Sequence, residues 1–177
     1  MKKTLHILLL AALAPLSGCS LWEDEKIENY LTLHMCDARN EIGISREMVR
    51  MPETGVEFIA VKEPFMTMGD LDSVDVAEVY DPHMNRRIVG FQLNCGRMGV
   101  KKLYRETSNA MGGWIILKEN GKPRAVRKID SIISNGKLFM MLEYPKDTDI
   151  YKKAQDYSRD IKKVQEKLDR REAMFLW

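Results

Sequence analysis

A chain of 177 residues, 45% of them hydrophobic, suits a single domain with a real core. Its 28 basic and 26 acidic residues almost cancel, so no global field draws it to nucleic acid.

The chain opens with "MKKTLHILLLAALAPLSGCS", in which Lys2 and Lys3 precede an apolar run from Leu5 to Leu13 and Pro15 ends it. Such a segment is a secretory signal, too short and one-sided for a membrane span. It finishes in Leu16-Ser17-Gly18-Cys19, the pattern of a bacterial lipobox. Small residues let the extended backbone enter a peptidase cleft, and only a thiol can be thioether-linked to diacylglycerol. Residues 1–18 are therefore expected as a lipoprotein signal peptide, with Cys19 lipidated and carrying fatty acyl chains such as palmitate. Each buried CH2 contributes about 0.8 kcal/mol to such an anchor. Ser20 is not the aspartate that favours inner-membrane retention, which predicts attachment to the outer membrane facing the periplasm. Cleavage removes Lys2 and Lys3 and no acid, leaving the mature chain formally neutral.

Residues 19–29 are polar and acidic and read as a tether. "YLTLHMC", Tyr30–Cys36, alternates as a strand with Leu31, Leu33 and Met35 inward. "REMVRMP" and "GVEFIAVKEPF" are further strands, the second alternating through Val56, Phe58 and Ala60. "TMGDLDSV" predicts a short helix or turn before the strand "VDVAEVY", and "DPHMN" a turn before "RRIVGFQLNC". A helix follows, with Val100, Leu103, Tyr104, Thr107 and Met111 on one face and Gly112-Gly113 at its end. Two hairpins are expected at Asn120-Gly121 and Asn135-Gly136, since type I′ turns require positive φ at both central residues. Last comes a helix from about Thr148 to Arg171, where Ile150, Ala154, Tyr157, Ile161, Val164 and Leu168 form a seam. A helix packed across a sheet is the expected use, with a homodimer seam as the alternative.

Cys36 and Cys95 remain for an oxidising compartment and are candidates for a disulfide, provided the two strand ends are neighbours. Residues 53–81 are acidic and residues 101–128 basic. Lys118, Lys122, Arg124, Arg127 and Lys128, with the apolar tail Phe175, Leu176 and Trp177, are the candidate partner surface. No catalytic motif is present. His6, His34 and His83 lack metal-ligand spacing, and Asp70, Asp72 and Asp75 lack the glycine and distal glutamate of a calcium loop. No catalytic residue, cofactor or metal is expected.

The run "FQLNCGRMGVKKLYRETSNAMGGWIILKENGKPRAVRKIDSIISNG" combines an "FQL" strand, Gly99, Leu103, Thr107, Gly112, the strand "WIIL", a first "NG", and Ile129, Ile133 and Gly136. With the preceding "VEFIAVKEPFMTMGDLDSVDVAEV" it resembles the head of the first periplasmic domain of SecD, the protein-export accessory subunit, over about residues 56–145. That resemblance implies an α+β fold, a ferredoxin-like sandwich whose mostly antiparallel sheet is backed by a central helix and a long C-terminal helix. The membrane helices and intramembrane charges of such a subunit have no counterpart, so no functional residue is carried over. Residues 30–146 are expected as the α+β domain and 147–177 as the C-terminal helix and tail. Together these readings predict a lipid-anchored, non-enzymatic periplasmic module that binds or scaffolds a protein partner, with exported polypeptides one such partner. A structural envelope lipoprotein, dimeric through its C-terminal helix, is the alternative.

Overall fold

The computed structural model describes residues 26–36, 44–81 and 85–175. The expected signal segment, Cys19, His83, Leu176 and Trp177 lie outside the described residues, as does the side chain of Phe175. The chain runs β1 (Leu31–Cys36), β2 (Arg46–Arg50), β3 (Glu57–Val61), β4 (Met66–Thr67), a 3-10 turn (Met68–Asp70), β5 (Leu71–Asp81) and β6 (Arg86–Cys95). It continues through α1 (Arg97–Asn109), β7 (Trp114–Glu119), β8 (Lys122–Lys128), β9 (Lys137–Leu142) and α2 (Ile150–Phe175). Seven strands form one sheet in the order β4-β1-β7-β8-β9-β6-β5, and β2 and β3 form a separate hairpin. Every described pairing is antiparallel. The α+β class is as expected, but the elements do not run in the β-α-β-β-α-β order of a ferredoxin-like unit.

The strand pleat sorts the core into two layers. Leu31, Leu33 and Met35 point to one face with Ile115, Leu117, Phe91, Leu93, Leu138 and Met140, and α2 adds Ala154, Tyr157 and Ile161 to the same cluster. The opposite face carries Cys36, Ile116 and Val126, covered by Val49, Met51 and Ala60 of the β2–β3 hairpin. The seam of α2 is thus consumed inside the chain: Tyr157 and Ile161 are fully buried. A dimer through that seam would require lifting α2 off its own sheet, which the structure speaks against. The helix also starts and ends later than expected.

Helix α1 lies as predicted, with Leu103 and Thr107 of the expected face inward, but that face is turned toward Gly99 and away from Tyr104 and Met111. Gly99, Leu103, Thr107 and Ala110 are buried, while Tyr104 and Met111 are about half exposed. Close approach decides this. A Cβ on Gly99 would stand 2.1 Å from the Asp70 carbonyl oxygen, and one on Gly136 would stand 2.5 Å from Val100 Cγ2. Asp70, expected to be solvated, is buried; its carboxylate accepts from Thr67 N and Lys102 Nζ, both at 3.0 Å.

The Asn120-Gly121 turn forms as expected, with φ of 50° and 79°. The Asn135-Gly136 turn does not: only Gly136 has positive φ, and no strand forms across 129–136. That segment finds its hydrogen bonds elsewhere. Ile129 N donates to Gly113 O at 2.9 Å, Ile133 N to Thr107 Oγ1 at 3.1 Å, and Gly136 O accepts from Cys95 N at 2.9 Å.

Cys36 and Cys95 are not joined. Three strands stand between β1 and β6, and the two side chains belong to cores on opposite faces of the sheet. Four strand spacings amount to roughly 19 Å, far beyond disulfide reach. Burial, with Asp70 and Asp72 nearby, pushes the Cys95 thiol up to about 12. Residues 27–29, expected within the tether, belong to the fold. Ile27 packs on the larger core, and Asn29 N and Nδ2 both donate to Asp160 Oδ2 at 3.0 Å.

Gly99→Ala is expected to destabilise the protein by about 3 kcal/mol, the upper end for overpacking against fixed atoms. Urea unfolding of the two chains checks this, and coincident midpoints would show that α1 does not need the close approach.

Candidate functional site: a groove where two strands part

The face opposite the helices is only half covered. One row of residues crosses it through six strands: His34, Ile116, Val126, Met141, Gly90 and Ala77 are successive register partners. The β2–β3 hairpin covers the first half of that row and stops at Met141.

Three polar contacts hold the hairpin down. Glu143, buried at the end of β9, accepts from Glu53 N and Thr54 N with Oε2 at 3.0 Å each, fixing the β2–β3 connection. Lys118, 6% exposed in its side chain, pairs with Glu47 of β2. His34 bonds Val61 O through Nδ1 and Thr32 Oγ1 through Nε2, both at 2.9 Å, tying the end of β3 to β1. A Phe58–Trp114 ring contact at 5.3 Å adds apolar cover.

Beyond the hairpin the strands part. β8 and β9 share only the pairs Ala125–Leu142 and Val126–Met141, after which they diverge. A groove of about 360 Å3 opens at this fork. Its floor is Val79 of β5, Ile88 of β6, and Phe139 and Met141 of β9; its rims carry Arg127, Lys128 and Asp130 on one side and Tyr80 and Asp81 on the other. Gly90 makes the floor possible, because the Phe139 ring lies over it; a Cβ there would be 2.4 Å from Phe139 Cζ. A second cavity of about 240 Å3 continues along residues 131–135 and shares Arg127 and Phe139 with the first. The site is therefore elongated. Arg127 Nη2 is held to both carboxylate oxygens of Asp130, at 2.9 and 3.1 Å.

The basic run does not form one surface. Lys118 faces the hairpin. Arg124 turns to the other side, 3.1 Å from the buried Glu119 and over the Tyr144 ring at 5.2 Å, where Lys153 also meets Glu119 at 2.6 Å. Lys128 lies over Trp114 at 6.0 Å, and Lys122 is exposed at the far end of β8. Of the five, only Arg127 and Lys128 reach the groove. Simple alternation does not separate them, because the β7–β8 register shifts beside Arg124 and the strand ends at Lys128. Val79, Ile88, Phe139 and Met141 were missed, since nothing local marks where two strands diverge. Among the described residues, no group of three or more His, Cys, Asp or Glu side chains could hold a metal ion, and no helix is long and apolar enough to cross a membrane.

No family model matches this chain, and no curated protein does. Among solved structures it is similar to a membrane component, SecDF, that enhances protein export, at 15% identity and TM-score 0.48, over 76% of this chain and 62% of that one. It is similar also to SecDF in its super-membrane-facing form, at 15% identity and TM-score 0.49, over 76% of this chain and 19% of that one. The chain thus spans less than two thirds of the first structure's length and about a fifth of the second's.

His34 makes the seating of the hairpin on the sheet sensitive to pH. Burial is the main cause that holds its imidazole below the usual histidine value, with the Lys118 ammonium adding to it and Val61 O and Glu47 opposing. The unfolded chain therefore takes up this proton first. The contribution of neutral His34 is complete above about pH 6.5 and is lost as pH falls below it toward the folded-state value. The unfolding midpoint is expected to drop between pH 7.5 and 5.5 in the natural chain and to drop less in His34→Gln. Parallel pH curves for the two chains would contradict this.

Proposed function

We propose that this chain is a non-enzymatic module, anchored through Cys19 at the periplasmic face of the outer membrane, that binds an extended segment of another polypeptide in the groove at the β8–β9 fork. The observation that carries this reading is the shape and chemistry of the uncovered half-face. An elongated, surface-open groove with an apolar floor and rims of both charge signs suits a chain laid along it. A small ligand, by contrast, is usually enclosed over most of its surface. The floor offers Val79, Ile88, Phe139 and Met141 to apolar side chains. Among the rim charges, Arg127 is already neutralised by Asp130, so it adds orientation more than charge. Exported polypeptides are the partner class that the resemblance of residues 56–145 implies, and the expected lipid anchor would place the groove where such chains emerge.

A photo-crosslinking residue at Ile88 in the whole chain, irradiated in cells, is expected to give adducts with other polypeptides. The same residue at Lys152, on the exposed side of α2, is expected to give few. Equal yields at both positions would sink the binding reading. Independently, Cys19→Ser is expected to release the chain from the membrane fraction, and retention there would remove the anchor.

A further inference from the structure

Among the described residues, no backbone–backbone bond joins the β2–β3 hairpin to the sheet beneath it. Its ladder is its own, and Lys62 N closes the open end on Ser45 O at 2.9 Å. The hairpin can therefore leave the sheet without breaking a ladder, as a local opening of low cost. What it covers is small: Cys36, Ile116 and Val126, with Met141 at the margin. Val126 and Met141 are register partners, and Met141 also lines the groove. The covered patch and the groove floor are thus one apolar strip, half of it under the hairpin.

The hairpin end nearest β1 rests on a buried polar cluster. His34 and Lys118 are each 5% exposed, and Thr32 and Lys118 are register partners. The charged groups facing the imidazole are Lys118 of β7 and Glu47 of β2, with Lys62, just past β3, acting on Glu47. His34 Nδ1–H donates to the Val61 carbonyl, so the neutral Nε2 accepts from the Thr32 hydroxyl. A second proton turns that hydroxyl round and sets a cation beside the Lys118 ammonium. One carboxylate, Glu47, must then serve both. We propose that the hairpin is a lid that acid releases: with both nitrogens of His34 protonated, β2 and β3 lift from the sheet and lengthen the groove from Met141 to Cys36. The larger core lies on the opposite face and shares none of these contacts, so it stays closed. On the polypeptide reading above, a longer segment then finds apolar floor.

Two thiols report on the two faces: Cys36 lies under the lid, and Cys95 packs against the larger core. The whole chain is labelled with 4,4′-dithiodipyridine, which reacts with thiols in acid, and each site is read by mass spectrometry against the same chain in urea at the same pH. From pH 7.5 to 5.5 the Cys36 rate is expected to rise severalfold, up to about tenfold. Each pH unit below the free imidazole value favours the open form about tenfold, until the closed form also takes the proton. Cys95 is expected to stay flat, and both sites to stay flat in His34→Gln. A flat Cys36 in the natural chain would overturn the lid. So would Cys95 rising in step with Cys36, which would mean that the whole fold opens. A second reading needs no variant: the Cys36 rise should level off at the pH where the His34 imidazole titrates by NMR. A rise that runs on through that titration would assign the release to another group and overturn the proposal. None of these readouts uses a bound polypeptide, so the lid and the polypeptide reading fail separately.

Discussion

A pleated sheet has two sides, and alternation along each strand forces every apolar residue to one or the other. In this chain the division is uneven. One side receives the long core of leucines, methionines, Phe91 and Tyr157, and two helices close over it. The other side receives a smaller cluster around Ile116 and Val126, closed by a single hairpin whose strands are five residues each. That hairpin cannot reach across seven strands. The groove and its apolar floor follow from this shortfall.

Charge takes a structural part that composition conceals. With 28 basic and 26 acidic residues the chain is close to neutral, yet several of its ionic groups are buried. Glu119 is 5% exposed and is met by Arg124 and Lys153, beside the hydrogen-bonded hydroxyls of Tyr144 and Tyr157. Burial pushes both phenols upward, so both remain protonated. Phe91 stands edge-on to both rings, at 5.9 and 5.6 Å. Such a network costs desolvation that its pairing offsets, and it fixes where β7, β8 and α2 meet. Glu143 and Lys118 do similar work on the other face, where they hold the hairpin down.

The parts of this fold that were legible in the sequence are those set by local geometry. The alternation of β1, the Asn120-Gly121 turn and the periodicity of α2 each follow from a few neighbouring residues. The parts that were not legible depend on partners far along the chain. Asn135-Gly136 carries the same dipeptide as the true hairpin turn, but its neighbours bond to Gly113, Thr107 and Cys95 instead of to each other. The face of α1 is turned from the apolar stripe of Tyr104 and Met111 because close approach favours small residues; Gly99 and Ala110 bury for that reason, beside Leu103 and Thr107. The groove was invisible because it arises where β8 and β9 stop pairing, and the basic run was misleading because the strands scatter it over two sides of the sheet.

One side of the sheet is open past Met141 while the other is closed. Met140 and Met141 are neighbours that the pleat sends opposite ways, the first fully buried and the second at the groove. Methyl relaxation in the presence of a soluble paramagnetic agent measures this directly. Strong broadening at Val79, Ile88 and Met141, with Met140, Leu138 and Val74 protected, is the expected result. Equal protection of Met140 and Met141 would mean that the half-face is covered, and would contradict the account.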